Sequence, residues 1–95
     1  MHLSIIIPLY NEAKHIRTTL DLLSGVCFPD FVNEKEIIVV DDFSTDESYQ
    51  IVTDYALYHT GIKVLRHRKN MGKGAAVMTG AKAASGDVLV IQDAD

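Results

Sequence analysis

Residues 87–95 read DVLVIQDAD, in which four consecutive apolar residues are followed closely by two aspartates separated by one alanine. The apolar run predicts a strand buried on both faces, the kind found in parallel sheets. Residues two apart in an extended backbone point the same way, so Asp93 and Asp95 can converge on one ion, and Ala94 permits a close approach. A solvated acidic turn is the commoner meaning of such a pair, but two carboxylates also suit a hard divalent cation that holds phosphate oxygens.

Three similar strand patterns precede this one, at residues 3–9, 36–40 and 62–65. Apolar residues at helical spacing separate them, so strand and helix patterns alternate along the whole chain. Such alternation with short loops predicts an α/β fold that has one parallel sheet, right-handed crossovers and helices on both faces. The predicted order is β-α-β-α-β-α-β.

Local signals predict where the three helices begin and how closely one of them packs. Asn11 is a good N-cap for the first helix. Ser44 and Glu47 match a capping box that would open the second helix. The third helix, at residues 75–84, is rich in alanine and contains Gly80. Small residues at these positions are expected to let that helix lie close against the sheet.

Chemically distinctive side chains follow every predicted strand. Ligands of such sheets bind outside the carboxyl ends of the strands, where the strand order reverses. Each side chain alone has an ordinary explanation, such as a half-buried aromatic ring, a favourable helix-dipole interaction or a helix cap. Together they suit a nucleoside diphosphate: Tyr10 and Glu12 follow the first strand, Asp41 and Asp42 the second, Gly72 and Lys73 the third, and Asp93 and Asp95 the fourth.

The better-known phosphate-binding loops are not matched. A Walker A loop would need glycine at position 67 and serine or threonine at position 74, where this chain has His67 and Gly74. The dinucleotide fingerprint fails because Val77 stands where glycine or alanine belongs, and because the glycines follow the third strand instead of the first. ATPase and dehydrogenase functions are therefore disfavoured.

Composition limits the remaining classes. The chain has 95 residues, 47% of them hydrophobic, and a net charge of −4, which fits one small domain and argues against a nucleic-acid binder. Cys27 cannot form an internal disulfide and is expected to be buried beside Val26 and Phe28. No apolar run approaches the ~18 residues that span a bilayer, and the first residues lack signal-peptide features. The expected location is cytoplasmic, either free or at the cytoplasmic face of a membrane.

The four histidines show no metal-ligand spacing and are expected to be structural or surface residues: His2, His15, His59 and His67.

Four motifs in this order resemble family 2 glycosyltransferases of the GT-A fold: IIPLYNE at 6–12, IVVDDFSTD at 38–46, NMGKGAA at 70–76 and DAD at 93–95. The YNE, KG and DAD forms are most similar to polyprenyl-phosphate sugar transferases, the group that includes dolichyl-phosphate mannose synthase. The resemblance runs from residue 3 to residue 95. It implies a Rossmann-like nucleotide-binding half of a GT-A domain.

The resemblance also implies residue roles. It places Pro8, Tyr10, Glu12 and Asp42 around the base and ribose of a UDP- or GDP-sugar, and it places Asp93 and Asp95 at the diphosphate, where they hold Mg²⁺ or Mn²⁺. Gly72 and Lys73 are expected at the nucleotide as well. From its position after a buried strand, Asp41 is expected to accept hydrogen bonds from the nucleotide or to help near the metal. The implied reaction is inverting sugar transfer to a lipid phosphate or a glycan.

Domains of this family continue past the D-x-D motif with acceptor-binding segments and a catalytic base. Residues 1–95 are therefore expected to be the N-terminal, nucleotide-sugar-binding part of one GT-A domain, with membrane association only through parts beyond them. Four strands and three helices would leave the last strand uncovered. Residues 1–95 alone are thus expected to be marginally stable or self-associating, and to catalyse no transfer.

Two other classes of function remain open. A sugar nucleotidyltransferase also uses a parallel sheet and a metal, but it would carry a glycine-rich, arginine-containing loop after the first strand, where this chain has residues 8–11, PLYN. A receiver-type signalling domain also has paired acids after a strand. It would need a phosphoacceptor aspartate at the end of the third strand, where this chain has LRH at residues 65–67.

Overall fold

The computed structural model describes all residues from 1 to 95 as an α/β structure. Four parallel strands form one sheet in the order β3-β2-β1-β4. The strands are β1 (His2–Leu9), β2 (Glu34–Asp41), β3 (Ile62–Arg66) and β4 (Val88–Ile91), and the helices between them are α1 (Ile16–Gly25), α2 (Ser48–Leu57) and α3 (Lys73–Ala83). The predicted alternation of strands and helices is confirmed.

The two faces of the sheet carry different helices because strand side chains alternate in direction. Ile5 and Ile7 of β1 belong to a core cluster with Leu20 of α1 and Val52 of α2. Residues of opposite parity, such as Ile38, pack instead with α3. Helices α1 and α2 therefore cover one face of the sheet, and α3 covers the other.

Helix α3 lies very close to the sheet, as its small residues predict. A Cβ atom added at Gly80 would stand 2.5 Å from Ile6 Cγ2, which no real Cβ contact tolerates. Ala76 is also fully buried against this face. The close approach brings the N-terminal end of α3 to the carboxyl edge of the sheet.

Two helices begin later than the sequence signals indicate. Asn11 does not cap α1, because its side-chain oxygen accepts hydrogen bonds from the Thr45 and Asp46 backbone N–H groups, at 2.8 and 3.3 Å. Ser44 does not open α2, because its hydroxyl donates to Asp41 Oδ1 at 2.6 Å. The helices start at Ile16 and Ser48 instead, and their N-cap residues, His15 and Glu47, make no side-chain cap. The Ser48 N–H donates to Asp46 Oδ1 at 2.8 Å.

The expectation that residues 88–91 are buried on both faces is wrong, whereas the expectation that four strands and three helices leave the last strand uncovered is confirmed. Val88, Leu89, Val90 and Ile91 pair with β1 at the edge of the sheet, yet they are between 40% and 53% exposed. Cys27 is also exposed, because it lies in the irregular segment after α1 and not in the core.

Self-association of residues 1–95 through the uncovered strand stays a prediction, which size-exclusion chromatography at increasing concentration would check.

No helix is both long enough and apolar enough to cross a membrane.

Glu36 holds the end of the sheet opposite to the strand carboxyl ends. Its buried Oε2 accepts hydrogen bonds from the Ser4 hydroxyl at 2.6 Å and from the Ser85 backbone N–H at 2.7 Å. Its Oε1 lies 3.0 Å from Lys63 Nζ. Burial alone would raise the pKa of Glu36, but the hydrogen bonds from Ser4, Ser85 and Lys63 outweigh it and lower the pKa from 4.5 to about 2.

The lowered pKa of Glu36 predicts acid sensitivity. A carboxylate with a depressed folded-state pKa contributes stability above its unfolded value, and this stability is lost as pH falls from 4.5 through about 2. The contribution is about 3 kcal/mol by linkage. Urea unfolding between pH 7 and pH 2.5 should therefore show a steeper loss of stability in the unsubstituted chain than in Glu36→Gln. Parallel curves for the two proteins would contradict this role.

Candidate functional site

A cavity of about 400 Å³ opens at the carboxyl ends of β1 and β4, the point where the strand order reverses. All four segments that follow the strands contribute to its lining. Its residues are Pro8, Leu9, Tyr10, Glu12, Asp42, Asn70, Gly72, Lys73, Ala76, Asp93, Ala94 and Asp95. The structure thus brings together every predicted site residue except Asp41.

Asp41 lies outside the cavity and is completely buried. Its carboxylate accepts hydrogen bonds from the Ser44 hydroxyl and backbone N–H, and it forms an ion pair with Arg66 Nε at 3.2 Å. The Arg66 guanidinium in turn lies over the Phe43 and Tyr49 rings. Through these contacts Asp41 stabilises the turn after β2. Its carboxylate does not reach the cavity, so it is not placed to contact a ligand there.

The turns after β1 and β2 are joined to each other. Asn11 has a positive φ of 50°, a conformation that asparagine tolerates better than most residues. Its backbone N–H donates to Ser44 Oγ, and the Glu12 N–H donates to Ser48 Oγ, both at 2.9 Å. Tyr10 and Glu12 are therefore held at the cavity by the segment that begins α2.

Asp42 links β2 to the loop before α3. Its Oδ1 accepts from the Met71 backbone N–H and its Oδ2 from the Gly72 N–H, both at 2.8 Å. Burial would raise the pKa of Asp42, but hydrogen bonds from His67, Met71 and Gly72 prevail and hold the pKa below its usual value. An ionised carboxylate offers about four acceptor positions, so about one remains, on Oδ2.

His67, expected to be a structural or surface residue, is structural and joins two elements of the site through contacts that the sequence did not indicate. Its ring is buried, with Nδ1 2.8 Å from Asp42 Oδ1 and Nε2 2.7 Å from Thr79 Oγ1. These partners are 25 and 12 residues away in sequence, so neither periodicity nor motif spacing could indicate the contacts.

Lys73, Asp93 and Asp95 form the charged side of the cavity. Lys73 is the first residue of α3, and its Nζ lies 2.7 Å from Asp93 Oδ1. The hydrogen bond and charge of Asp93, followed by the charge of Asp95, raise the pKa of Lys73. Both members of this ion pair are largely exposed, so the pair can exchange for other partners at small cost.

The two aspartates fit a hard divalent cation as a partial ligand set. Both line the cavity, and the Lys73 ammonium already stands where a cation would meet Asp93. No group of three or more histidine, cysteine, aspartate or glutamate side chains is placed to hold a metal on its own. The remaining ligands would therefore be water and phosphate oxygens, as is usual for Mg²⁺.

Ala94 fixes the position of these aspartates. It is buried in the core cluster with α1 residues, and its carbonyl oxygen accepts a hydrogen bond from the Thr19 hydroxyl at 2.7 Å. A larger side chain at position 94 would have to displace that core. The small residue between the two carboxylates thus anchors the segment to α1.

The strand reversal and the cavity place this chain among the α/β domains that bind ligands at the ends of parallel strands. The sequence profile of Glycosyl transferase family 2 matches residues 4–95, and the chain belongs to this family.

Relatives agree with this assignment. Dolichyl-phosphate β-glucosyltransferase ALG5C of Trichomonas vaginalis is 40% identical over 103 residues, a match that covers 100% of this chain and 29% of that protein. Dolichol-phosphate mannosyltransferase of Pyrococcus furiosus is 36% identical over 99 residues, which cover 100% of this chain and 26% of that protein. The chain therefore spans less than a third of the length of these relatives. The predicted resemblance to polyprenyl-phosphate sugar transferases is confirmed.

Solved structures show the same fold. Mannosyltransferase PcManGT from Pyrobaculum calidifontis, in complex with GDP-Man and Mn²⁺, superposes with a TM-score of 0.88 at 33% identity, over 98% of this chain and 27% of that one. TarS 1–349 of S. aureus, in complex with UDP-GlcNAc, gives a TM-score of 0.87 at 36% identity, over 100% of this chain and 27% of that one. The fold is the Rossmann-like GT-A fold, as predicted.

Proposed function

We propose that residues 1–95 form the nucleotide-sugar-binding part of an inverting glycosyltransferase that takes a UDP- or GDP-sugar as donor. The observation that carries this proposal is that one cavity combines an aromatic ring and a hydrogen-bonding carboxylate with a cluster of charged side chains. Tyr10 and Asp42 line it together with Lys73, Asp93 and Asp95, and Lys73 forms an ion pair with Asp93. A nucleoside diphosphate likewise combines an aromatic, hydrogen-bonding base with an anionic diphosphate.

The nucleoside would lie against Pro8, Tyr10 and Glu12. Pro8 and Tyr10 offer apolar and aromatic surface, and Tyr10 is nearly half exposed, which leaves its ring accessible. The free acceptor position of Asp42 Oδ2 suits an N–H group of the base. Asp42 would then bind the ligand through this one position, while its other acceptor positions hold His67 and the loop before α3.

The diphosphate would lie against the start of α3. The first N–H groups of a helix have no partner inside it, and the helix dipole favours an anion there. Lys73 adds a positive charge at the same place. Gly72, with φ at 99°, adopts a backbone conformation that other residues rarely take and brings the chain into the helix at this point.

Asp93 and Asp95 would hold Mg²⁺ or Mn²⁺ together with oxygens of the diphosphate. When bound, such an ion supplies Lewis-acid stabilisation of the negative charge that develops on the leaving nucleoside diphosphate. The complex of the related mannosyltransferase with GDP-Man and Mn²⁺ supports the choice of a divalent metal. The residues of this chain do not favour Mg²⁺ over Mn²⁺.

In the proposed reaction an acceptor oxygen forms a bond to the anomeric carbon while the bond from that carbon to the diphosphate breaks. The acceptor group of a glycan is a hydroxyl, whose proton would pass to a general base that we place in segments beyond residue 95. The oxygen of a lipid phosphate is already ionised near neutral pH and attacks without losing a proton. The names of the relatives support a polyprenyl phosphate as acceptor. An acceptor of this kind lies in a membrane, so the proposed reaction takes place at a membrane surface, for which we propose the cytoplasmic face.

The test is a transfer assay with the full natural chain, dolichyl phosphate and either UDP-glucose or GDP-mannose in MnCl₂. Formation of a dolichyl-linked sugar from one donor is expected.

Two further incubations test the two alternative functions, a sugar nucleotidyltransferase and a receiver domain. Formation of an NDP-sugar from a nucleoside triphosphate and a sugar 1-phosphate would indicate a nucleotidyltransferase. Phosphorylation by acetyl phosphate would indicate a receiver domain, although β3 ends at Arg66 and not at an aspartate.

A further inference from the structure

The His67 ring is enclosed between two elements that form the cavity. Its side chain is 8% exposed, and Asp42 beside it is 4% exposed. The His67 backbone N–H also donates to the Asp41 carbonyl oxygen at 2.9 Å, so the residue extends the pairing of β3 with β2. A core histidine needs only a hydrogen-bond partner for each ring nitrogen, which any nearby group can supply. The His67 ring instead joins Asp42, which follows β2, to Thr79 in the middle of α3.

The hydrogen-bond partners fix one proton of the ring. An ionised carboxylate can only accept, so Nδ1 must carry hydrogen and donate it to Asp42 Oδ1. The Thr79 hydroxyl has a single proton and also donates to the Ala75 carbonyl oxygen at 3.0 Å, so it can either donate to Nε2 or accept from it. Asp42 thus fixes a hydrogen on Nδ1, and Thr79 holds the other side of the ring in place.

The bond to Asp42 has a consequence for the loop before α3. Oδ1 receives both His67 Nδ1 and the Met71 N–H, while Oδ2 receives the Gly72 N–H. Rotation of the carboxylate would break all three bonds together. With its rotation fixed, Gly72 keeps its positive φ, and Lys73 starts α3 at the cavity wall.

We propose that His67 is a positioning residue for donor binding, which acts through Asp42 to fix Gly72 and Lys73 at the diphosphate end of the cavity. This role rests on the proposed function, since it concerns how the same cavity holds its donor. His67 itself does not line the cavity, so it acts without touching the nucleotide.

The experiment is calorimetry of UDP and GDP, each with MnCl₂, on the full natural chain and its variants. His67→Ala is expected to weaken binding by about tenfold or more, equal to about 1.4 kcal/mol. His67→Asn carries an amide N–H near the position of Nδ1 and is expected to recover most of the affinity. His67→Gln places its amide nearer the position of Nε2 and is expected to recover little. Loss of affinity in both amide variants alike would contradict action through Asp42.

Glu36→Gln is the matched control for stability. Glu36 is buried in its own hydrogen-bond network at the other end of the sheet, so its replacement lowers stability without touching the cavity. Equal losses of nucleotide affinity in Glu36→Gln and His67→Ala would show that His67 matters only for folding. Ring ¹⁵N shifts of the free protein give an independent readout, and a hydrogen-free Nδ1 would overturn the proposed contact.

The same measurements separate the two levels of the proposal. If the unsubstituted chain binds neither UDP nor GDP with Mn²⁺, the proposed function fails, and the positioning role fails with it. If the unsubstituted chain binds and His67→Ala binds equally well, only the positioning role is overturned.

Discussion

Replacing Asp95 by asparagine is expected to weaken binding of UDP or GDP in MnCl₂ by about a hundredfold, equal to about 2.7 kcal/mol. Asp95 is the better of the two aspartates to change, because Asp93 also forms the ion pair with Lys73. The amide keeps the shape of the side chain but removes the negative charge that a hard cation requires. In EDTA the unsubstituted chain and the variant should bind with similar, low affinity.

Asp87→Asn is the matched control for this prediction. Asp87 lies at the other end of the same strand, where Oδ2 accepts the His2 backbone N–H at 3.1 Å, and it does not line the cavity. Its replacement removes the same charge from the chain and should leave the metal dependence intact. Equal affinity of the unsubstituted chain in MnCl₂ and in EDTA would show that Asp93 and Asp95 do not recruit a metal for the nucleotide.

Asp42→Ala should have the second large effect, because it removes the proposed contact with the base and also the acceptor that holds the loop before α3. It leaves the Met71 and Gly72 N–H groups and His67 Nδ1 without their acceptor. Loss of one buried partner costs about 1–3 kcal/mol, so the unfolding stability should fall by at least this amount. The nucleotide affinity should fall by about 1–3 kcal/mol through the lost contact with the base. Calorimetry with UMP and UDP, and with GMP and GDP, measures the two parts of the loss.

The comparison of monophosphate with diphosphate decides what Asp42 does. A contact with the base predicts a loss of affinity for UMP or GMP as well as for the diphosphates. A loss confined to the diphosphates would assign Asp42 to the phosphate end alone. Asp54→Ala serves as control, since Asp54 lies on α2 outside the cavity and accepts only from Gln50.

The sheet could be predicted from the sequence because its signal is local. Each strand is a short apolar run with turn residues beside it, and β4 was found at residues 88–91 as expected. Helix starts were predicted less well, since Asn11 and Ser44 had better partners elsewhere. A capping signal in sequence states what a side chain is able to do near its own helix. It does not state which more distant donor or acceptor competes for that side chain.

The cavity was predicted for a different reason. Parallel strands bring their carboxyl ends to one edge, so residues after β1, β2 and β4 had to meet once the fold class was known. Asp41 and Asp42 were indistinguishable in sequence, however, because adjacent residues of a strand differ only in the direction they point. The register of the strand sends Asp41 into the turn with Ser44 and Arg66, and Asp42 toward the cavity.

The hydrogen bond between Thr19 and Ala94 joins residues 75 positions apart. The residues that line the cavity range from 8 to 95 in sequence. The cavity therefore forms only after β4 has paired with β1. A ligand that binds only the folded chain shifts the folding equilibrium toward it by mass action. The proposed donor should therefore protect the protein against unfolding and proteolysis, and the abundance of the protein in a cell would follow the supply of that nucleotide sugar.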